Sequence, residues 1–368
     1  MCKEAFLDSA LIVCGTGMFL DATLSVCGTG IFPTVTISIC NNGRFWRDDM
    51  DVEEIAKMAD KLRKNISKVI IGKEEQIKLI ITGILAGGHI LIEDNPGTGK
   101  TMLAKSFAKS MDTSFKRVQF TPDLMPSDIT GLNIYNQKSS EFKLVKGPVF
   151  TNVLLADEIN RATPRTQSSL LEAMEEKQVT IDGETLKLDE PFIVFATENP
   201  VETSGTYPLP EAELDRFLIK LSMGDNGKEE EMDIIKRYIN DTPIENISAV
   251  CTADDIIEKR KAVKEIYVHE CVREYIVNII LATRKNSELN LGVSTRGTLA
   301  LLRCSQAYAA IEGREYVTPD DVRFLAPYVL GHRILAFGSA GDFKHNSNII
   351  EKIVEGIDVP VEDWKAKS

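Results

Sequence analysis

His89-Ile90-Leu91-Ile92-Glu93 reads as a short buried strand, and Met102-Leu103-Ala104-Lys105-Ser106-Phe107-Ala108 as a helix. Between them runs Asp94-Asn95-Pro96-Gly97-Thr98-Gly99-Lys100-Thr101. A strand, a glycine-bearing loop ending in Lys-Thr, and a helix together make the arrangement a phosphate cradle requires. Gly97 and Gly99 let the backbone curl until its N–H groups point at phosphate oxygens, and the helix start adds its positive dipole end. Lys100 is placed to reach the β- and γ-phosphates, and the Thr101 hydroxyl to ligate Mg²⁺. The pattern GxxxxGK[ST] asks for glycine at position 94, where this chain has Asp94. That carboxylate suits an anion site only if it faces away. The chain also carries its own control. Gly15-Thr16-Gly17 and Gly28-Thr29-Gly30 repeat the glycine–threonine–glycine motif with no Lys-Thr after it.

Val153-Leu154-Leu155-Ala156 is an apolar run that ends in Asp157-Glu158. A run with no alternation suits a central parallel strand covered on both faces, whose C-terminal end is where open α/β sheets bind ligands. Asp157 is then a candidate for the Mg²⁺ shell, and Glu158 for polarising the attacking water. Phe192-Ile193-Val194-Phe195-Ala196-Thr197 is a third such strand, followed by Glu198-Asn199-Pro200. An amide at Asn199 would sit beside the acids, although a turn asparagine before proline reads equally well from this stretch alone.

The whole chain has 368 residues, with 43 Lys and Arg against 55 Asp and Glu, a formal net charge of −12. That balance argues against a general binder of nucleic acid or anionic membrane, both of which favour basic surfaces. The cysteines (Cys2, Cys14, Cys27, Cys40, Cys251, Cys271, Cys304) form no CxxC pair, and the four histidines show no metal-ligand spacing. A reducing, cytoplasmic setting is the expectation. The first 47 residues hold only six charged side chains and four of the cysteines. Two readings stay open there: a small Cys-rich module able to hold a metal, or a poorly ordered Cys/Gly/Thr-rich extension over 1–49 ahead of a natural start at Met50. The second is favoured, because metal sites usually show closer ligand pairs. No apolar run approaches the ~20 residues of a membrane span.

Together these residues resemble the AAA+ superfamily, most closely its MoxR branch. The resemblance spans about Val69 to Arg333. Besides the 93–97 loop, where an acid at 94 is frequent in that branch, it is carried by Phe120-Thr121-Pro122-Asp123-Leu124-Met125-Pro126-Ser127-Asp128-Ile129-Thr130-Gly131, by Asp157-Glu158-Ile159-Asn160-Arg161-Ala162 and by Leu209-Pro210-Glu211-Ala212-Glu213-Leu214-Asp215-Arg216-Phe217. It implies an α/β fold: a P-loop NTPase core over 50–223 with a parallel sheet between helices, an all-helical lid over 224–337, and a tail over 338–368. It implies ATP and Mg²⁺ as ligands and ATP hydrolysis as the activity. Asn199 matches sensor 1 and Arg216 the arginine finger that enters a neighbour's site. Arg296, in Gly292-Val293-Ser294-Thr295-Arg296-Gly297, matches the sensor-2 residue that touches the γ-phosphate. Ile70, Ile71 and Gly72 match the adenine-pocket segment. The nucleotide-binding set is completed by Asn95, Pro96, Gly97, Thr98, Gly99, Lys100, Thr101 and Met102. A homo-oligomeric ring, six-membered in most of the superfamily, and a von Willebrand factor A partner are further implications, with a protein client of unstated identity that is remodelled or matured at a metal centre. The alternatives are a nucleotide-gated adaptor, a metal-chelatase-like subunit and a DNA motor, the last opposed by the charge.

Two hairpins also fit this branch. Gln178–Leu188 alternates around Asp182-Gly183, and Leu132–Tyr135 and Glu141–Val145 flank a polar turn. In relatives such hairpins face the ring centre; plain extension of the sheet is the other reading. Beyond a polar break at 224–230, helices are expected over 231–238, 253–266, 270–284 and 296–312. Thr318-Pro319-Asp320-Asp321 should open another, with proline in the first turn. Residues 338–368 show weak patterning and read as a frayed end.

Overall fold

A computed structural model describes residues 52–95, 97–138, 140–199, 205–239, 242–338 and 342–360, together with three strand backbones near the N-terminus. Those three, Ile12–Cys14, Met18–Cys27 and Gly30–Thr36, pair antiparallel in sequence order. Cys2 and Cys40, Met50, where a natural start is expected, and Pro96 lie outside the described residues, as do Pro200 and the end of the tail from 361 on.

From Val52 onward the chain builds around one parallel sheet. Its strands are β1 (Ile90–Glu93), β2 (Phe115–Gln119), β3 (Val153–Asp157), β4 (Ile193–Glu198) and β5 (Ile219–Leu221). Their order is β5-β1-β4-β3-β2, so β1, which leads into the glycine loop, lies between the edge strand β5 and the central β4. All five residues of β3 are buried, as its unbroken apolar run requires. The short β2 and β5 carry polar residues such as Arg117 and Lys220, which hides them from a hydropathy reading.

The helix Val52–Ile66 buries Val52, Ile55, Met58, Ala59, Leu62 and Ile66, one face at helical spacing. Glu53 and Glu54 sit in its first turn and Arg63 and Lys64 in its last, matching the helix dipole. After β5 come helices Lys228–Tyr238, Ala253–Val263, Glu270–Lys285, Thr295–Ile311 and Pro319–Leu330. The last opens as its sequence predicts: the Thr318 hydroxyl accepts from Asp321 N, and Asp321 forms a two-pronged pair with Arg314. Residues 343–355, inside the stretch expected to fray, form a helix instead. It buries Phe343, Ile349, Ile350, Ile353 and Val354, and buried Asn346 donates to Ile334 O at 3.1 Å. The polar member of that stripe weakened the pattern. None of the described helices is long and apolar enough to cross a membrane.

Both hairpins form, over 131–146 and 178–187, each as a two-stranded sheet separate from the central one. That sets aside plain sheet extension. Asn133 Nδ2 donates to Asp182 Oδ2 at 2.9 Å, tying the two together. Ile134, Tyr135 and Phe142 are exposed, and the last two rings lie 5.3 Å apart at their centroids, tilted by 59°.

His89, just before β1, is buried. Its Nδ1 accepts from Val194 N and its Nε2–H donates to Met174 O. Burial pulls its pKa from 6.5 to about 4, against the Met174 hydrogen bond. The unfolded chain therefore takes up a proton below about pH 6.5 that the folded chain refuses until about pH 4, and stability must fall as pH drops through that window. Between pH 7 and pH 5 this one group is expected to remove about 2 kcal/mol, by urea unfolding. The His89→Gln variant should lose correspondingly less over the same range; parallel pH curves for the two proteins would contradict this.

Candidate nucleotide-binding site

Parallel registry brings the predicted residues to one edge. Thr197 and Glu198 of β4 pair with Ile92 and Glu93 of β1, Ala196 pairs with Ala156 of β3, and Gln119 of β2 pairs with Asp157. The 94–101 loop, the two acids and Asn199 therefore leave the sheet side by side.

Gly97 and Gly99 both take positive φ, +89° and +85°, and Gly99 caps the helix Lys100–Ser110. A Cβ added at either would meet nothing within 4 Å, so the loop fronts open space. Lys100 Nζ folds back to donate to Asp94 O at 2.6 Å and Asn95 O at 3.1 Å. Burial lowers its pKa, opposed by the charges of Asp94, Asp157 and Glu158. A partly desolvated ammonium on main-chain carbonyls has much to gain from an anion. Thr98 Oγ1 donates to Asn95 O, and Thr101 and Met102 are half-buried in the first helical turn.

The Asp94 carboxylate turns away from the loop. It accepts from Met223 N at 2.6 Å and from Ser222 Oγ at 3.4 Å. The acid that departs from the glycine pattern thus fastens the loop to the chain just past β5, where the lid segment begins.

Asp157 is buried, with both carboxylate oxygens engaged. Thr197 Oγ1 donates to Oδ1 at 2.7 Å, and Arg117 donates to Oδ2 at 2.7 and 3.1 Å. Glu158 sits at φ +56°, ψ +52°, a left-handed conformation that costs a non-glycine residue about 1–2 kcal/mol. Its N–H donates to the same Thr197 hydroxyl at 2.8 Å. Gln119 Nε2 at 2.7 Å and Arg161 at 3.0 Å hold its carboxylate. Asn199 is buried beyond β4, where its carbonyl meets Asn160 Nδ2 at 3.5 Å.

Ile70 is buried and Ile71 half-buried beside Gly72, which has φ +70°. A Cβ on Gly72 would displace the Glu230 side chain, whose Oε1 would lie 2.0 Å away, and the positive φ favours glycine there. Arg237 of that helix donates to Ser67 O and Lys68 O, and Lys73 Nζ to Asp225 O.

Arg216 and Arg296 meet elsewhere. Both pair with Glu175 at the end of the Pro164–Glu176 helix, Arg216 through Nε at 3.0 Å. Neither is bonded to Lys100, Asp157 or Glu158 of its own chain.

Sequence reading missed Thr197, Gln119, Arg117 and Lys220. Lys220 is buried between Glu198, at 3.2 Å, and Glu93, with the Phe343 ring 5.4 Å from its ammonium. Burial depresses its pKa, but Glu198 and Glu93 outweigh that and raise it. For Thr197 and Lys220 the available signal was a polar residue inside an apolar run; Arg117 and Gln119 lie in a strand that is mostly polar and gave none.

The donors present fit a polyphosphate and a divalent cation: open glycine backbone, an ammonium, a hydroxyl and a carboxylate. Thr197→Val keeps the shape but strands Glu158 N–H and Asp157 Oδ1. It is expected to lower unfolding free energy by about 2–4 kcal/mol and to reduce ATP turnover as well. Unchanged stability and turnover would remove Thr197 from the site.

Comparison with known proteins agrees with this geometry. Residues 89–219 match the family described as ATPase family associated with various cellular activities (AAA), and residues 281–353 match an AAA lid domain. An uncharacterized protein, YeaC, of Bacillus subtilis is 46% identical over 311 residues, covering 84% of this chain and 97% of that one. Chaperone MoxR1 of Mycobacterium tuberculosis is 38% identical over 305 residues, 80% of each chain. A crystal structure from Cytophaga hutchinsonii, provisionally described as an ATPase, superposes with a TM-score of 0.76 at 37% identity, covering 84% of this chain and 97% of that one. With its parallel core, C-terminal helical lid and this degree of identity, the chain belongs to the MoxR family of AAA+ ATPases.

Proposed function

We propose that this protein binds ATP with Mg²⁺ at the ends of β1, β3 and β4 and hydrolyses it to remodel or assemble protein clients. The observation that carries this is the convergence of the Lys100 loop with Asp157 and Glu158 on one sheet edge. Thr101 and Asp157 are the residues that would hold the cation, which when bound neutralises phosphate charge. Lys100 binds the phosphates through its ammonium, and Asn199 orients water. Glu158 is the base, taking a proton from that water on its carboxylate. Its present bonds to Gln119 and Arg161 describe a base that must be released before it acts. Ile70, Ile71 and Gly72 border the adenine.

Arg216 completes a neighbouring chain's site. Its pairing with Glu175, away from its own Lys100, supports that assignment, and a ring, six-membered as in the superfamily, is the assembly we propose for it. Arg296 lies beside it on the same acid and is assigned to γ-phosphate contact. The exposed Tyr135–Phe142 ring pair supports contact with apolar client segments. Chaperone MoxR1 carries that role in its name, and we extend it to this chain. The setting we propose is cytoplasmic. A von Willebrand factor A protein is the proposed partner, with metal-centre maturation as one outcome for the client.

The full chain should hydrolyse ATP, and Lys100→Ala should reduce turnover by at least about 100-fold. Equal turnover by parent and variant would reject the assignment. Glu158→Gln should still bind ATP, turn over poorly and accumulate as six-fold assemblies in mass photometry; a fully active variant would take the base role from Glu158. Affinity capture on Glu158→Gln with ATP should retain a protein bearing a von Willebrand factor A domain; capture that is independent of ATP would argue against a nucleotide-driven partner.

A further inference from the structure

Arg216 rides on a short turn between the Glu211–Leu214 helix and β5. One buried side chain of the lid grips that turn. Arg333 Nε donates to Asp215 Oδ1 at 2.7 Å. Its Nη2 donates to Asp215 O at 3.3 Å and to Phe217 O at 2.5 Å, and its Nη1 donates to Leu218 O at 3.2 Å. The planar guanidinium thus spans the carbonyls on either side of Arg216. Two more lid residues add to the grip: Ser294 Oγ donates to Asp215 Oδ2 at 3.0 Å, and His332 Nε2–H donates to Phe217 O at 3.0 Å. The stem of Arg333 packs on Gly297, where an added Cβ would lie 3.0 Å from Arg333 Cδ and 2.4 Å from Val293 Cγ1.

Arg216 itself is held differently. Its Nε is 3.0 Å from Glu175 Oε2 but makes no well-aligned hydrogen bond there. The side chain is loosely kept, while the turn beneath it takes four hydrogen bonds from the lid on its carbonyls and two more on the Asp215 carboxylate. A guanidinium that must reach another chain needs a rigid base more than a tight resting place.

We propose that Arg333 is a positioning residue for Arg216, locking the finger's turn to the lid so that lid and finger move as one body. A lid shift in one chain then changes the aim of Arg216 into the next. Lysine cannot replace it, because an ammonium lacks the fork that spans two carbonyls and a carboxylate.

This rests on the reading of Arg216 as a trans-acting residue, and the test separates the two. ATP turnover is measured for full-length chains alone and in equimolar co-assembled pairs. Arg333→Met alone should lose at least about tenfold in kcat while KM for ATP stays within about twofold, because its own site is intact. Mixed with Glu158→Gln, which cannot hydrolyse but donates a sound Arg216, it should recover turnover. Mixed with Arg216→Ala it should not, since neither chain then donates. Should Arg333→Met fail to assemble, Arg333→Lys and Asp215→Asn pass through the same mixtures and should give the same pattern. Recovery with Arg216→Ala, or none with Glu158→Gln, overturns the proposal. Failure of the Arg216→Ala and Glu158→Gln pair to recover overturns instead the trans reading beneath it.

Discussion

The parallel seating of β4 between β1 and β3 is the constraint on which the rest depends. It puts Thr197 level with Asp157, and one hydroxyl then serves both acids: it donates to Asp157 Oδ1 and accepts from Glu158 N–H. That bond holds Glu158 in a left-handed conformation that its own side chain disfavours. On the other flank β4 meets β1, whose last residue leads into the glycine loop. A one-residue slip would send every side chain of β4 to the opposite face and take Thr197 away from Asp157 and Glu158.

Charged groups placed where strands end tie these elements together. Asp94 fastens the loop to Met223, and Lys220 gathers Glu93 and Glu198 under Phe343 of the last helix. Tyr328 donates to Glu75 at 2.7 Å, and Arg333 grips the turn of Arg216. The contacts of Asp94, Lys220 and Arg333 are buried or half-buried, and such polar groups are costly to leave unpaired. Under the coupling proposed above, a change in lid angle would carry the turn of Arg216 with it.

Much of this was legible beforehand. The strand–loop–helix at 89–108, the acids after 153–156, both hairpins and the capped helix at 318 follow from local chemistry: apolar runs, glycines and caps with few alternatives. Short strands carrying a buried lysine or an arginine were not legible, because their polar residues find partners only across the sheet. The helix at 343–355 was obscured by Asn346, whose partner Ile334 O lies twelve residues away. Asp94 looked like a defect in the loop until the backbone N–H of Met223 supplied its partner. The pairing of Arg216 and Arg296 on Glu175 had no local signal, since the three residues come from separate stretches of chain.

The most direct test is a crystal structure of the full chain with Mg²⁺ and a non-hydrolysable ATP analogue. The account predicts the terminal phosphate at Lys100, with Lys100 Nζ moved off Asp94 O and Asn95 O, the Glu158 carboxylate released from Gln119, and Arg216 of an adjacent chain directed at that phosphate. Nucleotide bound away from the 97–101 loop, or a terminal phosphate contacted by Arg216 of its own chain, would contradict it.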